Sequence, residues 1–209
     1  MQPDLDRELK LISAGHRFVA GIDEVGRGAL AGPVVAAAVM LPLDRFDLAR
    51  ALSEVRDSKQ LSPASRQRCL QEIQEIAIAV GVGEASSKEV DDLGLLPATQ
   101  TAMQRAVEAL DPQPSHLLVD HIRIPELELP QDPITRGDQS VLSIAAASVV
   151  AKVWRDSLMA ELGERYPGYG FERHKGYGTE THRQALARLG PCPDHRHSYA
   201  PVKSARSKA

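Results

Sequence analysis

Asp23 and Glu24 are adjacent carboxylates at the end of an apolar run, followed at once by the turn Gly26-Arg27-Gly28-Ala29-Leu30-Ala31-Gly32-Pro33. Acids beside Phe18, Val19 and Ile22 are costly to bury unless a cation neutralises them. Hard divalent ions take carboxylate oxygens, and glycines without a Cβ let a ligand lie on the main chain. The segment therefore reads as metal and phosphate chemistry. Two more acids hold comparable positions: Asp120 closes a short apolar run, and Asp138 precedes the longest helical stretch. Strand ends and helix starts can meet along one edge of an α/β sheet. There, two ions about 4 Å apart activate a water and stabilise a leaving oxygen. Each acid also has a structural reading, since acids are common at strand ends and Asp138 can cap a helix or oppose its dipole. Adjacent strand residues face opposite sides, so Asp23 and Glu24 share a site only if the chain turns or one offers its carbonyl.

Those acids need elements to hold them. Residues 17–24 read as one strand and 34–41 as a second, which makes the opening motif a β-hairpin. Gly26, Gly28 and Gly32 superficially match a dinucleotide fingerprint, but that motif needs a helix next, and Pro33-Val34-Val35 is a poor start for one. Ser62-Pro63 is an N-cap and first-turn signal, and Leu70, Ile73 and Ile76 continue a helical face toward residue 77. Strands are expected at 77–85, at 116–120 and briefly near 133–136, with a helix at 96–110. The strongest helix is 140–162, where Ala145, Ala146, Ala147 and Ser148 permit close packing. Beyond it, 166–178 is rich in Gly, His, Arg and Tyr, a further helix spans 181–189, and the tail from Val202 is small and basic.

At 209 residues the chain has room for one sizeable core and an appendage. Aromatics make up 4% of it, so the core leans on aliphatic packing and Tyr177 and Tyr199 stand out. The two cysteines, Cys69 and Cys192, lie far apart and outside any paired motif, which fits a reducing cytoplasm and no disulfide framework. Neither a signal peptide nor an apolar run of membrane-spanning length is expected. The net charge of -3 conceals a division: from Arg165 to Ala209 nine Lys or Arg face three acids, a surplus of six, which leaves residues 1–164 at -9. An acidic body with a basic arm fits cations on one part and phosphates on the other, although an ordinary solvated tail gives the same count.

Several blocks occur in order: GIDEVGRGALAGPVVAAAV from Gly21, DSKQLS from Asp57, VD at Val119, RGDQSVLSIAAASVVAKVWRD from Arg136 and HKGYGT from His174. Together they resemble bacterial ribonuclease HII over nearly the whole chain. The resemblance implies a ribonuclease-H-like α/β fold, a mixed β-sheet flanked by helices, with a catalytic core at 1–162 and a helical, substrate-binding C-terminal extension with a basic tail at 163–209. It implies that Asp23, Glu24, Asp120 and Asp138 are the catalytic acids, binding Mg²⁺ or Mn²⁺ in a two-metal mechanism. The activity implied is endonucleolytic cleavage of RNA in RNA/DNA hybrids, including 5′ of single ribonucleotides in duplex DNA, leaving 3′-hydroxyl and 5′-phosphate ends. Gly26, Arg27 and Gly28 match a motif that senses the 2′-hydroxyl, and Tyr177 matches a tyrosine packed on the following deoxynucleotide sugar. Lys59 and Lys152 match family lysines, of which Lys59 is the better candidate for a phosphate contact, and Ser148 matches a serine that contacts substrate or packs tightly. A cytoplasmic monomer without membrane association is implied, serving ribonucleotide removal and primer clearance; no clear clamp-binding peptide is visible.

A 2′-hydroxyl distinguishes RNA from DNA and can both donate and accept, which suits a glycine-lined main chain. On residue type alone Arg27 also fits a surface charge, Tyr177 partial core, and Lys59 or Lys152 a solvated helix face. The chain departs from the family pattern at His121, where glycine is usual, at Gly94, where asparagine is common, and at Arg136, which replaces a lysine. Ribonuclease HIII would carry an N-terminal substrate-binding domain, Lys at position 27 and Glu at position 138, unlike this chain. A noncatalytic hybrid-binding module should have lost at least one of the four acids.

Overall fold

Val19–Val25 (β1) and Val34–Met40 (β2) form the expected antiparallel hairpin in a computed structural model that describes residues 2–206. Ala79–Ala85 (β3) pairs antiparallel with β2, while His116–Asp120 (β4) and Gln131–Ile134 (β5) run parallel to β1, in the order β3-β2-β1-β4-β5. Around this sheet lie Asp6–Ser13 (α1), Leu48–Ala51 (α2), Pro63–Ile76 (α3), Ser87–Leu93 (α4), Leu95–Glu108 (α5) and Leu142–Arg165 (α6). The C-terminal part adds Phe171–His174 (α7), Glu180–Leu189 (α8) and Ala200–Arg206 (α9). The basic end of the tail, residues 207–209, lies outside the described residues.

β2 is buried at every position, as its unbroken apolar run requires of a strand covered on both faces. On one face Ala20, Ile22, Ala36, Ala38 and Met40 meet Ala98, Ala102, Met103 and Ala106 of α5. On the other, Val35, Ala37 and Val39 meet Ala145, Ala146 and Val149 of α6 and Cys69 and Ile73 of α3. Small residues bring the helices unusually close. A Cβ on Gly83 would stand 2.2 Å from the Ala102 carbonyl oxygen, and one on Gly21 would stand 2.2 Å from the Ser143 main chain. Gly83→Ala should therefore force α5 off the sheet, costing about 1–3 kcal/mol as overpacked sites do. The check is thermal melting, where about 2–4 °C is lost per 1 kcal/mol in a chain of this size.

Helix starts follow their caps. The Ser62 hydroxyl accepts from Ser65 N with Pro63 in the first turn, and Ser86 and Glu89 form a reciprocal capping box for α4. Two expectations shift. The last strand ends at Ile134 rather than near residue 136, because Arg136 takes a left-handed conformation, φ 57°, and a 3₁₀ turn, Gly137–Gln139, follows. That turn delays α6 to Leu142, and the helix runs on to Arg165. At its start the wholly buried Glu8 of α1 accepts from Ser143 N at 2.9 Å.

The C-terminal elements fold back on the hairpin turn. Bridges join Ala29 to Tyr177 and Ala31 to His195, and Leu30 N donates to Gly176 O at 2.8 Å. Both cysteines are free and buried. No helix among the described residues is long and apolar enough to cross a membrane.

Candidate active site

Parallel pairing of β1 with β4 aligns Ile22 with Val119, so the next residues, Asp23 and Asp120, emerge side by side at the sheet edge. Glu24 joins them: one carboxylate oxygen from each of Asp23, Glu24 and Asp120 lies within 4.8 Å of the others. Alternation sends Glu24 to the opposite face from Asp23, but β4 has already ended, and the longer side chain reaches round the free edge. Both acids thus enter the cluster through carboxylates, and no main-chain carbonyl is needed.

Local hydrogen bonds fix the trio. Asp23 accepts from Glu24 N at 2.7 Å, and Asp120 from Gly137 N at 2.7 Å, which ties the end of β4 to the 3₁₀ turn. Glu24 accepts from Arg27 Nη1 at 3.3 Å, while its other oxygen is buried without a protein partner. Ser148 stands beside Asp23, where its hydroxyl favours the charged carboxylate, and it shares a 3.0 Å hydrogen bond with Ser58. Asp138, buried on the 3₁₀ turn, stays outside the tight trio but near enough to Asp120 to raise its own pKa.

Burial is the main force raising the pKa of all four acids. Glu24 and Asp120 push Asp23 further up, well above the ordinary carboxylate range. Arg27 partly opposes the rise at Glu24, and Gly137 N the rise at Asp120. For Lys59 burial acts to lower the pKa, but Asp23, Asp57 and Asp138 outweigh it and hold the ammonium above its ordinary value. Crowded, buried oxygen ligands with one unpartnered carboxylate oxygen suit a hard divalent cation.

Beside the acids is a cleft of about 180 Å³ lined by Glu24, Val25, Gly26, Arg27, Gly28, Lys59 and Tyr177. The structure thus gathers Gly26, Arg27, Gly28, Lys59 and Tyr177 around one opening. The two glycines differ in task. Gly26, at φ 92°, is buried against Arg155, whereas Gly28 is exposed and a Cβ there would meet nothing within 4 Å. Asp57 accepts from Lys59 N at 3.0 Å, which sets the lysine at the cleft wall. Lys152 does not line the cleft; it pairs with Asp156 at 2.6 Å. A larger hollow of about 600 Å³ between α3, β3 and α6, rimmed by Trp154, contains none of the four acids.

Two residues escaped the sequence reading. Arg155 and Arg196 are fully buried, although arginine ordinarily marks a surface. Arg196 donates to the carbonyls of Gly26 at 2.7 Å, Arg27 at 2.7 Å and Gly32 at 3.0 Å, holding the hairpin turn from beneath. Tyr199 packs there too, its hydroxyl 3.2 Å from the Arg27 carbonyl. Arg155 lies in line with Ala151 and Met159 on one buried face of α6, a placement that shows only once the helix is packed. His121, next to Asp120, has φ 63°, a left-handed conformation that glycine adopts without cost.

The family model described as Ribonuclease HII matches residues 20–202. Among curated relatives, ribonuclease HII of Synechococcus sp. (strain JA-3-3Ab) is 52% identical over 203 residues, covering 97% of this chain and 90% of the relative. The solved ribonuclease H2 of Pyrococcus horikoshii OT3 superposes with a TM-score of 0.77 at 23% identity, over 92% of this chain and 98% of that one. Bst-RNase HIII in complex with Mn²⁺ superposes with a TM-score of 0.65 at 23% identity, over 91% of this chain and 69% of that one.

Proposed function

The chain belongs to the ribonuclease HII family, and from that premise we propose that Asp23, Glu24, Asp120 and Asp138 form the cleavage centre of an endoribonuclease acting on RNA in RNA/DNA hybrids. The observation that carries this reading is the meeting of three acids at the ends of β1 and β4, beside a cleft lined by Gly26, Arg27, Gly28 and Tyr177. The preferred cut is 5′ of a ribonucleotide, a single one in duplex DNA included, leaving 3′-hydroxyl and 5′-phosphate ends.

The donor set fits Mg²⁺ or Mn²⁺: all oxygen, crowded, and raised in pKa by burial and by one another's charge. A structural relative, Bst-RNase HIII, was solved with Mn²⁺. When bound, a pair of such ions supplies Lewis acidity to the attacking water and to the leaving oxygen. Asp23, Glu24 and Asp120 would hold them, with Asp138 beside Lys59. The Ser148 hydroxyl, bonded to Asp23, would orient that carboxylate and partly offset the rise in its pKa.

Selectivity comes from the cleft. The main chain at Gly26, Arg27 and Gly28 admits a sugar edge and tests for the 2′-hydroxyl, the group that separates RNA from DNA. Tyr177 packs on the next sugar, which favours an RNA-to-DNA junction, and Lys59 contacts phosphate. Residues 1–162 act as the catalytic core and 163–209 as a substrate-binding extension, in a cytoplasmic monomer.

A duplex with one ribonucleotide, incubated with Mg²⁺ or Mn²⁺, should be nicked on the 5′ side of that residue. Binding without nicking under either ion would instead favour a hybrid-binding module without catalysis.

A further inference from the structure

Arg155 has no part in the chemistry just described, yet its placement is more demanding than that of any acid. The side chain is wholly buried on α6, and its three hydrogen bonds all go to main-chain carbonyls. Nε donates to Pro33 at 2.9 Å and Nη2 to Ala31 at 3.2 Å, both in the hairpin turn, while Nη1 donates to Lys175 at 2.9 Å in the C-terminal part. The guanidinium carbon lies 5.5 Å from the centre of the Tyr177 ring. Against the same group rests Gly26, where a Cβ would stand 2.1 Å from Nε.

The adjacent acid, Asp156, is paired with Lys152 and acts on Arg155 only through space, not as a hydrogen-bond partner. Burial lowers the Arg155 pKa to about 10, so the group is still a cation at neutral pH. Removing the guanidinium would strand three buried carbonyls at a real cost, but any donor of the same reach would meet that need, so stability alone does not select arginine here. What arginine offers is a flat, rigid fork of donors, able to bond carbonyls arriving from two segments in one plane. Those segments carry the two contacts that read a junction, Gly26 to Gly28 on one and Tyr177 on the other.

We infer that Arg155 is a positioning residue for junction selection: its guanidinium sets the spacing between the glycine turn and Tyr177, and so the register in which a ribonucleotide and the following deoxynucleotide are read together. The inference rests on the function proposed above. Arg155 touches no reacting atom and acts through the two reading contacts.

The test compares kcat/KM on a duplex with a single ribonucleotide against kcat/KM on a long RNA/DNA hybrid. It uses wild type, Arg155→Lys, Arg155→Met, Tyr177→Ala and the Arg155→Lys/Tyr177→Ala double variant, each checked for folding by thermal melting. Arg155→Lys should lower the ratio roughly tenfold, as contacting residues do when uncoupled. It should leave the melting shift induced by Mn²⁺ unchanged, a readout that general loosening of the fold would move. Within the Tyr177→Ala background the same substitution should change the ratio less than about twofold, because the spacing then has nothing to set. If Arg155→Lys does not fold, Arg155→Met, which fills the volume without charge, serves in its place. Folded variants with the wild-type ratio, additive losses in the double variant, or failure of both substitutions to fold would each overturn the inference. Wild type that cuts neither substrate would overturn the functional reading itself, an outcome distinct from selective wild type with unaltered variants.

Discussion

Asp23→Asn should abolish cleavage and, in the absence of divalent cations, raise the melting temperature. Asn keeps the shape and can still accept from Glu24 N, which now bonds Asp23 at 2.7 Å. It cannot supply the charged oxygen that a hard cation requires. Loss of even an outer partner at a metal site costs about 10–100-fold, so removal of a direct ligand should exceed about a hundredfold. The stability gain has the opposite origin. Burial, then Glu24, then Asp120 raise the Asp23 pKa well above its ordinary value, so the folded protein holds a proton that the unfolded chain releases. A group raised in this way gives stability that is full below the unfolded pKa and lost as pH rises through the folded one. For the cation-free wild type the loss therefore begins in the ordinary carboxylate range and grows until pH passes the raised value, so at neutral pH keeping Asp23 in its buried site already costs stability. Asn does not titrate and removes that cost, with a gain of about 2–4 °C for each 1 kcal/mol relieved. Mn²⁺ should then stabilise wild type, by about 2.7 kcal/mol at a hundred times Kd, and scarcely affect the variant. Melting curves with and without Mn²⁺, set beside a nicking assay, check all three effects; undiminished nicking or an equal Mn²⁺ shift in both proteins refutes the role of Asp23.

Tyr177→Ala should cut selectivity more than chemistry. Stacking of an aromatic ring on a nucleotide is worth about 1–3 kcal/mol, or roughly 5–150-fold in kcat/KM. The loss should fall on the duplex with one ribonucleotide, where a single junction supplies all the discrimination, and much less on a long hybrid with many equivalent sites. The acids remain in place, since Tyr177 shares the cleft wall but makes no bond to the trio. Equal losses on the two substrates would show that the ring is structural packing over Arg155, the partner it touches within the fold.

The hairpin, β4 and the main helices were legible because alternation, apolar runs and caps act over a few residues. Ser62 announced α3, and Asp120 marked the end of β4 as a strand-terminal acid. The ribonuclease-H-like sheet follows from those elements and from the family blocks. Where the reading slipped, the cause was local geometry not encoded in hydrophobicity: the left-handed Arg136 cut β5 short and displaced the start of α6. The convergence of Asp23 and Glu24 was undecidable from alternation alone, because it depends on where a neighbouring strand stops. The buried arginines were the hardest. Arg155 is 122 residues from Pro33, and Arg196 is 170 from Gly26. Only the folded chain brings unsatisfied carbonyls to meet them, so nothing near either arginine in sequence betrays its burial.

The grip of Arg196 on the carbonyls of Gly26, Arg27 and Gly32 also orders events in time. A ribosome that has released residues 1–164 has already delivered every acid proposed for cleavage, but neither Tyr177 nor Arg196. The hairpin turn, made 164 to 170 residues ahead of Arg196, waits for that side chain to tie its carbonyls together. On the function proposed above, the means of telling RNA from DNA would be completed only after the acids, and a chain ended before Tyr177 would carry those acids without the finished cleft.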